Sequence, residues 1–279
     1  MRVLVTGVKG QLGYDVVKDL EKRGHQPIGV DREEMDLMDN QAIRTFIMDL
    51  KPEAIIHCAA YTAVDKAEED VEICYQINAE AVKVISECAK ELDVNMIYIS
   101  TDYVFDGTKE GEYVETDIPN PINVYGASKL KGEQYVQDLL EKYYIVRISW
   151  VFGVNGNNFI KTMLRLGLER DELNIINDQV GSPTYTADLA PLFVDMMETD
   201  KYGIYHATNE GFCSWYEFAN EIFKQSGIEV KTNPITTDQY PTAAKRPMNS
   251  KMSKVKLEEY GFNTFPTWQE AVNNYIKML

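Results

Sequence analysis

Cysteine is scarce in this chain: four among 279 residues, Cys58, Cys74, Cys88 and Cys213, with no C-x-x-C pair and no histidine at metal-ligand spacing. That excludes a zinc site and a dithiol redox motif, and leaves four small buried hydrophobes suited to a reducing compartment. Histidine is scarcer still: His57 and His206 lie in separate strand-like runs and His25 in a turn, so no acid–base or metal cluster is built on it. No apolar stretch of about 18 residues exists to span a bilayer, and the opening MRVLVTG lacks the apolar region of a signal peptide, so a cytoplasmic location is expected. Positive charge is also in deficit, with 28 Lys and Arg against 44 Asp and Glu and a formal net charge of -16. Such a charge repels nucleic-acid backbones and anionic membranes, so neither is an expected partner. Any anionic ligand must be met by local donors, in a cleft far less acidic than the outer surface.

What is present is ordinary soluble-protein material: 44% hydrophobic residues and 26% charged ones, with no low-complexity tract. A chain of this length buries roughly 75% of its unfolded surface, so its core needs no staple. Short β-branched runs (2–6, 26–30, 54–58, 95–100 and 144–149) alternate with amphipathic stretches near 11–23, 40–50, 70–92 and 120–142. Those two periodicities in alternation predict βαβ units and a doubly wound parallel sheet, with ligands at the strand C-termini. After Trp150 the alternation loosens into helices near 157–170, 186–199, 214–226 and 267–278 and strands near 173–176 and 203–207. The expected organisation is a dinucleotide-binding domain over 1–149, with returning segments near 172–180 and 201–212. A smaller, interleaved α/β substrate lobe occupies mainly 150–279, and no Pro/Gly/Ser-rich linker separates the two.

The first strand runs into TGVKGQLG, with Gly7, Gly10 and Gly13 spaced ahead of a helix that begins at Gln11. Glycines there allow a tight turn and let backbone N–H groups approach a pyrophosphate at the positive end of the helix dipole. About 20 residues on, Asp31 follows the end of the second strand at Val30, where an acidic side chain meets the adenosine ribose. Asp31 favours a free 2'-hydroxyl and the adjacent Arg32 a 2'-phosphate, which leaves NADH and NADPH both open. Asp36 and Leu37 follow in a segment placed to reach the adenine.

In PNPINVYGASKLKGE, Tyr125 and Lys129 stand four residues apart and so share one helix face. A free phenol titrates near 10, too high for acid–base work near neutrality. An ammonium about 4 Å away, at an effective dielectric of about 20, contributes roughly 4 kcal/mol toward the ionised form, so Lys129 is expected to bring Tyr125 toward neutral pH. The fourth strand, NMIYIS, ends in Ser100, Thr101 and Asp102 at the sheet edge, where a hydroxyl can bind a substrate carbonyl.

The glycine turn, the strand-end S-T-D and Y-x-x-x-K together resemble the extended short-chain dehydrogenase/reductase superfamily. AAYTAVDKAE, INAEAV, STDYVFDG, RISWVFG, NNFIKTMLRL, INDQVGSPT and KRPMNS narrow the resemblance to its dTDP-4-dehydrorhamnose reductase branch, across most of the chain. The resemblance implies reduction by NADPH or NADH of the C4 ketone of a dTDP-4-dehydro-6-deoxysugar, in a monomer or homodimer. Tyr125 would donate the proton, Lys129 would bind the nicotinamide ribose, and Thr101 would hold the sugar carbonyl. Gly7, Gly10, Gln11, Leu12 and Gly13 would line the pyrophosphate, Asp31, Asp36 and Leu37 the adenosine end, and Ala60, Tyr61 and Thr62 the third strand's cofactor edge. Asp102 and Trp150 would face the substrate, and Asn78 would support the lysine through a water. Arg246, in KRPMNS, is a further candidate for the substrate diphosphate.

Some relatives dimerise through a carboxylate-held cation. Ala187 stands where such a ligand is sought, so no metal site is expected. Trp215, Tyr216 and Phe218 read as the core of the small lobe. Two alternatives remain open in the sequence: a reductase of opposite facial selectivity that yields 6-deoxy-L-talose, and a non-catalytic NADP-binding regulatory subunit like the methionine adenosyltransferase β subunit.

Overall fold

The structure, a computed structural model, describes all residues 1–279. Its first half alternates strand and helix: β1 (Arg2–Thr6), α1 (Gln11–Lys22), β2 (Gln26–Val30), α2 (Asn40–Leu50), β3 (Ala54–His57), α3 (Val64–Ala67), α4 (Val71–Tyr75), α5 (Ala81–Leu92), β4 (Asn95–Thr101), α6 (Val124–Leu139) and β5 (Tyr143–Ile148). The second half holds β6 (Val151–Phe152), α7 (Phe159–Glu169), β7 (Glu172–Ile176), β8 (Val180–Gly181), β9 (Thr184–Tyr185), α8 (Thr186–Met197), β10 (Gly203–His206), β11 (Cys213–Ser214), α9 (Trp215–Ser226), β12 (Lys231–Ile235), α10 (Val255–Glu259) and α11 (Trp268–Ile276). No helix is long and apolar enough to cross a membrane.

Six strands form one parallel sheet in the order β10-β5-β4-β3-β1-β2. The chain leaves β1 toward β2 and returns on the other side to β3, so the switch point that opens a ligand crevice lies past the ends of β1 and β3. Alternate side chains of each strand feed two cores. Val3 and Val5 of β1 join Ile56, Ile97 and Val146 under α1 and α8, while Leu4 joins Ile55, Met96, Tyr98 and Ile145 under α2, α5 and α6. Both faces are therefore buried, which is why these strands read as near-continuous apolar runs.

The helix expected near 120–142 is shorter at its start. Pro119 and Pro121 hold the chain extended, and α6 begins at Val124 with the Asn123 carboxamide oxygen accepting from Gly126 N at 2.7 Å. The stretch near 70–92 is helical throughout but carries a π turn at Gln76–Glu80 between α4 and α5. Of the two segments expected to return to the main sheet, only one does: β10 pairs with β5. The segment at 172–180 instead sends β7 to pair with β12 in a separate two-stranded sheet. The physical reason lies in β7's own core-facing residues. Leu173 and Ile175 pack with Phe218, Ile222 and Trp268 of the second lobe's aromatic core.

Candidate active site

Two adjoining clefts open at the switch point, of about 460 and 590 Å³, sharing Gly7, Asp31, Ala59 and Ala60 in their walls. Gly7 has φ +70, and a Cβ there would lie 2.8 Å from the Ala59 backbone, so only glycine fits where β1 passes β3. Gly10 precedes α1 with no side-chain cap, which leaves the first-turn N–H groups of Gln11, Leu12 and Gly13 on the cleft wall without a side-chain partner. A helix N-terminus in that state is a phosphate site, and the cradle fits a pyrophosphate. Side chains point elsewhere: Leu12 is in the core, and Gln11 accepts from Gly153 N at 2.8 Å and Asn158 Nδ2 at 3.0 Å, locking the second lobe's loop to α1.

The smaller cleft is lined by Asp31, Arg32, Asp36, Leu37, Ala60 and Tyr61. Asp31 accepts from Lys9 N at 3.0 Å and Arg32 N at 2.8 Å, which fixes its carboxylate between the glycine turn and the end of β2. The Arg32 side chain is 81% exposed beside it. Tyr61 is held through its backbone by Asn78, N to Oδ1 at 2.8 Å and O to Nδ2 at 3.1 Å, and through its hydroxyl by Asp70 at 2.9 Å. Asn78, in the π turn, thus spends its carboxamide on Tyr61 and on Ser128 Oγ at 3.0 Å. Its direct partners are these rather than the lysine.

The larger cleft gathers Thr62, Thr101, Asp102, Tyr125, Lys129 and Trp150. The charged groups along both clefts are Asp31, Asp36, Asp70 and Asp102 against Arg32, Lys66 and Lys129, near balance in a chain of net charge -16. α6 presents Tyr125 and Lys129 on one face to the ends of β3 and β4. The Tyr125 phenol lies beside the Thr101 hydroxyl, with the Tyr103 ring edge-on at 5.5 Å.

The expected electrostatics of this pair need correction. Burial pushes the Tyr125 phenol well above its usual value, Thr101 opposes that, and the Asp102 charge adds to it. Lys129 is itself only 2% exposed, and burial lowers it to about 7 while Glu133 works against the fall. Desolvation dominates at both groups, because neither side chain keeps the solvent that the surface-like dielectric assumed.

Asp102 is 2% exposed, and burial raises it to about 6 against donations from Ser250 Oγ at 2.5 Å and Thr101 Oγ1 at 3.0 Å. Trp150 sits at φ +47 and stacks on Trp215 at 3.6 Å, with Gly181 packed beneath its indole. Trp215 therefore does more than fill the lobe's core, since it backs the cleft wall. Arg246 lines neither cleft, although it neighbours Tyr103 of the larger one. It grips Asp65 with two N–H groups at 3.0 and 2.7 Å and ties the 240–248 segment to α3. Ser250 and Trp215 are the site residues that sequence reasoning missed; KRPMNS had drawn attention to Arg246 and not to the serine four residues on.

All residues, 1–279, match the family model described as RmlD substrate binding domain. The chain is 42% identical over 287 residues to a dTDP-4-dehydrorhamnose reductase of Aggregatibacter actinomycetemcomitans, covering 98% of this chain and 97% of that one. It is 37% identical over 294 residues to the dTDP-4-dehydrorhamnose reductase of Escherichia coli K12, covering 100% and 98%. Among solved structures, the dTDP-4-dehydrorhamnose reductase of Bacillus anthracis, in complex with NADP, matches with a TM-score of 0.97 and 41% identity over 100% of this chain and 99% of that one. The chain belongs to the dTDP-4-dehydrorhamnose reductase family, NAD(P)H-dependent oxidoreductases of the extended short-chain dehydrogenase/reductase superfamily.

Proposed function

We propose that this chain reduces the C4 ketone of dTDP-4-dehydro-6-deoxy-L-mannose to dTDP-L-rhamnose, with Tyr125 as the proton donor. The observation that carries the reading is the meeting of Tyr125, Thr101 and Lys129 in the wall of the larger cleft, in a chain that matches its family from end to end. Bound NADPH or NADH supplies the hydride. The amides of Gln11 to Gly13 would hold its pyrophosphate, Asp31, Asp36 and Leu37 its adenosine end, and Ala60, Tyr61 and Thr62 the β3 edge.

The proton chemistry follows from burial. A phenol raised above its usual value stays protonated throughout the neutral range, so the proton is in place before the carbonyl is reduced. The sugar alkoxide formed at C4 is about as basic as hydroxide, whose conjugate acid titrates at about 15.7, so transfer from even a weakened phenol is downhill. Thr101 lies beside the phenol, and its hydroxyl, which donates to Asp102 in the free chain, would turn to the carbonyl oxygen and orient it toward Tyr125. Lys129, near neutrality, holds the ribose and supplies positive charge as the phenolate forms. Trp150, braced by Trp215, walls the sugar from solvent. The four cysteines are unpaired, which fits a cytoplasmic enzyme.

The test is NADPH oxidation by the purified protein on adding the ketosugar. Oxidation that depends on the sugar supports the reading, and its absence with both NADPH and NADH refutes it. Proton NMR of the product separates the rhamnose from its C4 epimer, the 6-deoxy-L-talose.

A further inference from the structure

Lys129 presents an ammonium in a place where little compensates it. It makes no ion pair within 4.0 Å, and the nearest acid on its own helix, Glu133, is committed to Arg147 and Ser100. What faces Lys129 Nζ is the ring of Tyr98, 4.1 Å from the centroid. Tyr98 is fully buried on β4, three residues before Thr101. Its hydroxyl donates to the carbonyl oxygens of Asn78 at 3.2 Å, in the π turn, and of Lys129 itself at 3.3 Å. That docking needs Gly132, because a Cβ there would fall on the Tyr98 hydroxyl and the Asn78 carbonyl oxygen. The His57 ring lies parallel to the Tyr98 ring at 6.0 Å and so helps to hold it.

We propose that Tyr98 is the positioning residue for Lys129: its ring face is the seat that keeps this lysine cationic and aimed at the cleft in a pocket that offers it no counter-ion. The negative face of an aromatic ring attracts an ammonium, more strongly when both are out of water. The other titratable groups around Lys129 give little help. Glu133 on α6 favours the charge, but its own charge is matched by Arg147 of β5. Tyr125 on α6, Cys58 after β3 and Cys74 on α4 are neutral near pH 7, and His57 of β3 is held neutral by burial, at about 3. Lys129 titrates near neutrality, so a modest loss of attraction removes much of its charge. The service of this lysine to Tyr125 and the cofactor ribose rests on the function proposed above; the seat itself does not.

The experiment therefore begins with cofactor-free protein labelled with 13Cε-lysine, with the Lys129 signal assigned by its loss in Lys129→Met. Its titration midpoint is expected to fall by about one pH unit in Tyr98→Leu and to stay near the wild-type value in Tyr98→Phe, which keeps the ring. An unchanged midpoint in a folded Tyr98→Leu, or an equal fall in Tyr98→Phe, overturns the proposal. Should the leucine variant fail to fold, phenylalanines of increasing fluorination at position 98 weaken the ring's negative face at nearly constant shape. A graded fall in midpoint supports the seat, and a flat series overturns it. The pH profile of turnover is read on the same variants. A midpoint that moves while the profile stays fixed keeps the seat and removes Lys129 from the proposed chemistry, so the two failures are distinguishable.

Discussion

Arg147 on β5 grips Glu133 on α6 fork to fork, Nε to Oε1 at 2.9 Å and Nη2 to Oε2 at 2.7 Å, with both side chains out of solvent. Ser100 of β4 adds a third donation to the same carboxylate at 2.5 Å. One buried ion pair thus binds together the helix that carries Tyr125 and Lys129, the strand that ends in Thr101, and the strand that leads to Trp150. Removing one partner leaves the other charge buried and unpaired, a loss of about 3–5 kcal/mol. Glu133→Ala is expected to lower unfolding free energy by that much in urea titration; a loss under about 1 kcal/mol would contradict the role given to the pair.

Tyr125→Phe keeps the ring and removes the proton. Turnover is expected to fall about 10²-fold or more, while the Kd for NADPH, read by fluorescence titration, changes little. Unchanged turnover would remove Tyr125 as the donor.

Asp102 carries a stability signature in pH. Burial raises it from 3.8 to about 6, so between about pH 4 and 6 the folded chain holds a proton there that the unfolded chain has released. Wild-type stability then falls, relative to Asp102→Asn, as pH rises through that window. The variant is expected to be the more stable above pH 7 by about 3 kcal/mol at about 1.36 kcal/mol per unit, with the gap gone below pH 4. Chemical denaturation at pH 4 and pH 8 reads the difference; a gap that is constant with pH would mean that Asp102 is not a strained carboxylate.

A methyl group at position 181 would come within 2.8 Å of the Trp150 indole. Gly181→Ala is therefore expected to push Trp150 off Trp215, raise KM for the nucleotide sugar several-fold and leave NADPH affinity intact. Equal losses of both affinities would mean general unfolding rather than a displaced wall.

The first half of the fold was legible because its signals are local. A strand, a glycine turn and a helix follow one another in the chain, and Tyr125 and Lys129 are one helical turn apart. Less could be read where partners are distant. Ser250 meets Asp102 across 148 positions, and β12, which carries Pro234 and polar residues, becomes a strand only because β7 offers it an edge. The burial that sets the charge states of Tyr125 and Lys129 is not legible in sequence for the same reason. Spacing shows that the two side chains share a face, but only the packed structure shows how little solvent reaches either. Tyr98 stands in the apolar run of β4, and nothing near it in sequence points to the ammonium above its ring.

The measurement that bears most directly on the central claim follows the transferred hydrogen. NADPH deuterated at C4 of the nicotinamide, incubated with this protein and dTDP-4-dehydro-6-deoxy-L-mannose, is expected to yield dTDP-L-rhamnose with deuterium at C4 of the sugar, and Tyr125→Phe is expected to suppress it. A sugar recovered without deuterium, or deuterium found only in the C4 epimer, would contradict it.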